Sequence, residues 1–201
     1  MLYYIRPRGE GMESIEYECT VLDIDSQDFI SKLISLGAKN KGEFFQRRYV
    51  YDFNPVNKNK WIRLRTNGTK TTICIKEIKN RELIGGTSEI EVEVGDFDKA
   101  NEVLEALGYH HRNYQENVRR SFELNGVSID IDSWPLIPDY VEIEGSSESE
   151  VLDTLKLLGI EEDRITTLDV ESIYNDIYGI DLLAIKELKF DEALLESNYT
   201  L

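Results

Sequence analysis

Charged residues recur at every second position along several short segments of this chain, and each segment carries one sign of charge. Glu16-x-Glu18, Glu89-x-Glu91-x-Glu93, Asp130-x-Asp132 and Glu142-x-Glu144 are acidic; Arg63-x-Arg65 is basic, and Lys76 stands in a similar run, TTICIKE. In a strand, residues two apart share a face. The opposite face is apolar throughout: Ile15, Tyr17 and Cys19; Ile62 and Leu64; Ile73 and Ile75; Ile90, Val92 and Val94; Ile129 and Ile131; Val141 and Ile143. A half-buried open sheet also alternates, but its wet face usually mixes Lys, Glu, Thr and Ser. Like charges on one face repel unless something offsets them. Sorting by strand fits a sheet that closes on itself and turns the charged face inward. A closed barrel of about eight strands has an interior wide enough for one small ligand.

A repeated unit supports this reading. Each of the acidic runs at Glu16, Glu89 and Glu142 is followed by a short Asp- or Ser-rich capping segment and a helical pattern ending in Leu-Gly, at Gly37, Gly108 and Gly159. Between the copies lie short β-branched or aromatic runs, including RRYVYDF, WIRLRTN, ENVRRSFEL and VSIDIDSW. Turn signals separate them, among them Asn67-Gly68 and Asn125-Gly126. The expected fold class is α+β: a closed eight-stranded antiparallel β-barrel, or tunnel, with helices packed outside. The stretch DVESIYNDIYGIDLLAIKELKF reads as a closing helix, with Tyr174 and Tyr178 as packing residues.

The 201 residues suit one domain, and no linker divides them. Residues 1–11 match nothing that follows and read as a leader, tag or arm; residues 191–201 read as a tail. A net charge of -16 argues against nucleic acid as a partner. No apolar run approaches the roughly 20 residues of a membrane span. Cys19 and Cys74 lie in strand-like runs with no metal-type spacing, so a reducing cytoplasm is the expected compartment. His110 and His111 read as surface residues, and Asp23 and Asp25 as caps.

Paired carboxylates on facing strands would hold a hard cation such as Mg²⁺ or Mn²⁺. Arg and Lys on other strands would hold an anion, Arg through its planar two-pronged fork. Phosphoryl chemistry depends mainly on positioning and charge neutralisation, so such a site needs no protein nucleophile.

In this order, Glu16-x-Glu18, Arg63-x-Arg65, Lys76 in TICIK, EIEVE, Arg120, Asp132 and Glu142-x-Glu144 in YVEIEG resemble the CYTH superfamily. That superfamily spans class IV adenylyl cyclases, thiamine triphosphatases and inorganic triphosphatases. The resemblance covers roughly residues 12 to 190. It implies a triphosphate-tunnel domain, a triphosphate-bearing small molecule as partner, and Mg²⁺ or Mn²⁺ as cofactor, in a monomer or homodimer. It further implies Glu16, Glu18, Asp132, Glu142 and Glu144 on the metal side, and Glu89 and Glu91 as a mid-chain acidic pair with Glu93 as a third. Arg63, Arg65, Lys76 and Arg120 would contact the triphosphate, with Arg119 ranked behind Arg120. Lys76, Arg120, Glu89 and Glu91 form the expected catalytic set. The implied activity is metal-dependent triphosphate hydrolysis; adenylyl cyclase chemistry and non-catalytic triphosphate or polyphosphate binding are the alternatives. Two cations of the family pattern are replaced, one by Thr20 and one, two residues before Arg120, by Val118. Arg47, Arg48 and Lys60 are candidate substitutes, and the sequence does not say which reaches the cavity.

Overall fold

The structure is a computed structural model that describes residues 13–191. The expected leader at 1–11 lies outside those residues, as does the tail from 192 onward. Eight strands form the barrel: β1 (Ser14–Val21), β2 (Lys39–Asn57), β3 (Lys60–Thr66), β4 (Thr71–Ile78), β5 (Thr87–Val94), β6 (His111–Leu124), β7 (Val127–Ser133) and β8 (Tyr140–Gly145). Their order around the barrel is β6-β2-β3-β4-β5-β1-β8-β7, and β7 pairs back onto β6 to close it. Every pairing among these strands is antiparallel. The expected α+β tunnel is therefore the fold.

Three helices lie outside: α1 (Ser26–Ser35), α2 (Phe97–Ala106) and α3 (Glu148–Leu157). Asp25, Asp96 and Ser147 cap their N-termini by accepting backbone N–H bonds. Gly37, Gly108 and Gly159 end them with positive φ, as the Leu-Gly pattern predicts. Asn125 and Gly126 both take positive φ in the two-residue turn between β6 and β7, the geometry that an Asn-Gly hairpin requires.

With charge turned inward, the apolar core has to form on the barrel's outer face. One cluster packs Ile129, Ile131, Val141 and Ile143 against Leu33 of α1 and Val151 and Leu155 of α3. Another packs Tyr51, Ile62 and Leu64 against Phe97 and Leu104 of α2. A third, around Trp134, Tyr140, Ile173, Tyr174 and Leu182, joins the barrel to the C-terminal segment.

That segment departs from the expected single helix. After β9 (Ile165–Thr166), which pairs with β1, comes a short turn α4 (Val170–Ser172) that continues as a π-helical turn over Ile173–Ile177. Gly179, at φ +67, ends it. Asp181 then caps a 3₁₀ turn, and β10 (Glu187–Leu188) runs parallel to β6. The left-handed glycine and the Asp cap break the helical pattern where the apolar spacing alone would carry it on.

Helix cover is unequal. Ile143 is fully buried beneath α3, whereas Ile90 on β5 is 42% exposed and belongs to none of the three core clusters of the described residues. Ile143→Ala is therefore expected to cost about 2–5 kcal/mol. Ile90→Ala should cost under about 1 kcal/mol, because it leaves no cavity. Denaturant midpoints of the two variants check the contrast.

Candidate active site

The barrel encloses a cavity of about 880 Å³. Apart from Asp52 of β2, which pairs with Arg112 of β6, its charged strand walls separate in barrel order into two contiguous arcs. β6, β2, β3 and β4 contribute Arg119, Arg48, Arg63 with Arg65, and Lys76. β5, β1 and β8 contribute Glu89 with Glu91, Glu16 with Glu18, and Glu142 with Glu144. β7 completes the acidic arc with Asp130 and Asp132, which lie behind the cavity wall and grip Arg119.

The arcs meet at two seams. Between β4 and its acidic neighbours, Lys76 Nζ lies 2.8 Å from Glu16 and 3.4 Å from Glu89, and Arg63 lies 3.6 Å from Glu89. Between β6 and β7, Arg119 Nη1 donates to Asp130 at 2.9 Å and Arg119 Nε to Asp132 at 2.9 Å; its Nη2 reaches Asp132 and Glu142. Titration behaviour follows distance from these seams. Burial opposes the charges on Arg63 and Arg119, yet their acidic neighbours hold both pKa values above the ordinary range. Burial likewise opposes ionisation of Glu89 and Glu142. Hydrogen bonding by Glu16, with Arg63 and Lys76, keeps Glu89 low, and Arg119 and Lys76 keep Glu142 low.

Away from the seams the shifts reverse. Arg65, beside Arg63 and also buried, falls to about 10. Burial and then Arg63, Arg65 and Arg119 pull Arg48 to about 9. On the acidic side, burial with the Glu18 charge raises Glu144; Glu16 is the exception, raised to about 8 by burial although it lies at the Lys76 seam. Glu18 and Glu144 are direct cross-strand partners. Each arc thus has a centre short of opposite charge, one suited to a cation and the other to an anion.

The structure brings most of the sequence-predicted residues together: Glu16, Glu18, Arg63, Arg65, Lys76, Glu89, Glu91, Glu142 and Glu144 all line the cavity. Glu93 is exposed and does not line it. Asp132 is fully buried; its Oδ1 accepts from Asn117 and Arg119, so it anchors Arg119 instead of facing the cavity. Arg119 and Arg120 exchange ranks. Arg119 lines the cavity, whereas Arg120 points outward, its Nε donating to Glu43 at 2.8 Å. Val118, expected where the family pattern has a cation, is an outer-face core residue, and Asn117 shares the parity of Arg119. The cue lies in the sequence: Val118, Phe122 and Leu124 share the parity of Arg120 and mark its face as the outer one. Of the candidate substitute cations, Arg47 lies outside over the Phe97 ring, Lys60 reaches the cavity but pairs with Glu77, and Arg48 lines the interior. Residues of the C-terminal segment that were not predicted for the site, including Asp169, Glu171 and Leu182, also line the cavity. Two of them are tied to the barrel through Arg81–Asp169 and Arg112–Glu171 pairs.

The CYTH domain family matches residues 14–170. The chain belongs to the CYTH family. No curated protein sequence matches it. Among solved structures, this CYTH chain is similar to a conserved hypothetical protein from Pyrococcus furiosus at 26% identity, covering 77% of this chain and 97% of that one with a TM-score of 0.67. A candidate adenylate cyclase from Vibrio parahaemolyticus is 14% identical, with 81% and 98% covered and a TM-score of 0.68. A candidate adenylyl cyclase from Hippeastrum, described as having a dominant triphosphatase activity, is 15% identical, with 83% and 96% covered and a TM-score of 0.54. The likeness to these last two establishes the fold.

Glu16 gives the site a measurable pH signature. Its pKa stands at about 8 in the folded chain against an ordinary 4.5, so between these values the folded protein holds a proton that the unfolded chain releases. That part of the stability is complete below 4.5 and is lost as pH rises through 8. Denaturation of metal-free protein at the two ends of this window should show the parent losing stability toward high pH. Glu16→Gln, which cannot ionise, should lose less.

Proposed function

We propose that this CYTH protein hydrolyses a triphosphate with the help of a divalent cation. The observation that carries the reading is the division of one closed lumen into a basic and an acidic arc. A polyphosphate on Arg63, Arg65 and Lys76, with a cation on the opposite wall, would satisfy both arcs.

Among the described residues no three acidic or thiol side chains are already gathered as a metal cage. The donor set nevertheless fits a hard cation that keeps part of its ligands from phosphate and water. Glu16 Oε2 is buried without a hydrogen-bond partner, and Glu18 and Glu144 face one another across adjacent strands. Glu16, Glu18 and Glu144 would hold Mg²⁺ or Mn²⁺, with Glu142 available once Arg119 turns to substrate. The bound cation would neutralise phosphate charge as it develops.

The residues of the basic arc orient the chain of phosphates and stabilise the negative charge that accumulates on the leaving oxygen. Water attacks the terminal phosphorus, the bridging P–O bond breaks, and orthophosphate leaves with the remaining diphosphate. The carboxylates of the acidic arc accept the proton that the water gives up. A cavity of about 880 Å³ also has room for an organic group on the phosphate, and Trp61 is among its lining residues. This keeps nucleoside and thiamine triphosphates among the substrates and adenylyl cyclase chemistry as the second reading. Two buried, free cysteines, Cys19 and Cys74, suit a reducing cytoplasm. No helix among the described residues is long and apolar enough to cross a membrane.

Phosphorus NMR with Mg²⁺ or Mn²⁺ and, separately, inorganic triphosphate, thiamine triphosphate and ATP tests the proposal. Orthophosphate release that is lost in Glu16→Ala/Glu18→Ala supports a hydrolase. Cyclic nucleotide with pyrophosphate makes the protein a cyclase, and binding without products makes it a sensor. Arg119→Gln is expected to lower kcat/KM about 10²–10³-fold, as loss of a charge-stabilising donor does. Arg120→Gln, on the outer face, should cost far less. Equal losses in the two variants would sink the placement of Arg119 at the reacting phosphates.

A further inference from the structure

We infer that Arg48 is a substrate-binding residue of this site, the cation that receives the anion at the centre of the basic arc. The inference rests on the triphosphate reading and adds to it a residue on β2, which no motif marks.

Four observations converge on Arg48. It lines the cavity although it is 4% exposed, so its guanidinium is held inside the barrel wall and not in bulk water. Among the described residues it forms no ion pair, whereas Arg63, Arg65, Lys76 and Arg119 each have a carboxylate within 4.0 Å. Its Nη2 is oriented by two neutral acceptors, Gln46 Oε1 and Asn117 Oδ1, and its Nε is buried with no partner. Its guanidinium carbon stands 4.5 Å from the centroid of the Trp134 ring, which fixes the plane of the fork.

A buried guanidinium without a counter-charge is costly, and three more guanidiniums near it increase the cost. A structural arginine would be expected to carry a carboxylate, as Arg120 does with Glu43. Arg48 carries neutral acceptors and an aromatic floor instead. These hold its orientation and leave it without a direct ion pair, Asp132 and Glu142 acting on it only at longer range, the preorganisation that an anion site needs. The nearby carboxylates are committed elsewhere: Asp52 of β2 to Arg112, Glu116 of β6 to Tyr114 and Phe190 N, and Asp132 of β7 to Arg119. The chemical class that fits is a phosphate oxygen of a polyphosphate already held by Arg63 and Arg65.

The same geometry supplies a rescue. Asn117 receives the Arg48 fork from the neighbouring strand, so Asn117→Lys sets a cation in the space that Arg48→Gln vacates. Binding of inorganic triphosphate by calorimetry in the presence of Mg²⁺, together with phosphate release, should show at least about a tenfold loss in R48Q. The double variant R48Q/N117K should recover most of it. A residue needed only for packing would not be rescued by a charge delivered from another strand.

If folded R48Q binds triphosphate as tightly as the parent while Arg63→Gln loses it, Arg48 is not a binding residue and the triphosphate reading stands. If the parent itself binds no triphosphate, both fall together. Should R48Q fail to fold, the unmodified protein still decides. Trp134 lies under the Arg48 fork, and its indole N–H resonance, distinguished from that of Trp61 through Trp61→Phe, should shift on titration with triphosphate. An unmoved Trp134 signal overturns the inference.

Discussion

Ion pairs from Lys76 and Arg119 hold the two lines along which the basic and acidic arcs of the barrel touch. Without them a closed sheet with this lumen would bury a row of like charges on each side, at a desolvation cost that apolar packing on the outer face would have to offset. The pairs cancel charge at the edges of the arcs and leave it at their middles. Arg48 and Arg65 on one wall, and Glu144 on the other, therefore deviate in the opposite sense from Arg63, Arg119, Glu89 and Glu142. Among the described residues, Arg48, Glu18 and Glu144 have no ion pair across the lumen.

The inverted barrel also explains the rest of the architecture. Apolar side chains excluded from the interior need cover, and α1 and α3 provide it over β7 and β8 while α2 provides it over β3. The C-terminal segment does a different job. It seats Tyr174 and Leu182 against Trp134 and Tyr140, and through Asp169 and Glu171 it adds charge of its own to the cavity. A single stretch therefore belongs to both the core and the site. It does so as a broken run of short turns, because a regular helix would present one face only.

Much of this was legible in the sequence because strand parity is a hard rule: Glu16, Glu18, Glu89, Glu91, Glu142 and Glu144 all face inward as their alternation with apolar residues requires. The reading slipped at Arg119 and Arg120, where two adjacent basic residues offer either parity. Only the apolar partners Val118, Phe122 and Leu124 settle the matter. Asp132 had the right parity but not the predicted surroundings, since its burial behind Arg119 depends on how deep β7 sits relative to the cavity. Arg48 was visible only as one of several nearby cations. What separates it from Arg47 is its place on the inner face against Trp134, and from Lys60 the absence of a carboxylate partner, both of which depend on contacts between strands far apart in sequence. The closing helix was misjudged because apolar spacing persists across Gly179 although the backbone does not.

With positive charge on one wall and negative charge on the other, the tunnel behaves like a small capacitor whose field runs across the barrel and not along it. A free polyanion feels attraction from one wall and repulsion from the other. A polyphosphate that already carries a divalent ion on one flank is itself polarised, and it gains from both walls in only one orientation. On the proposed reading, such a lumen would order a metal–phosphate complex by its polarity before any individual contact forms, and would favour the complex over either ion alone.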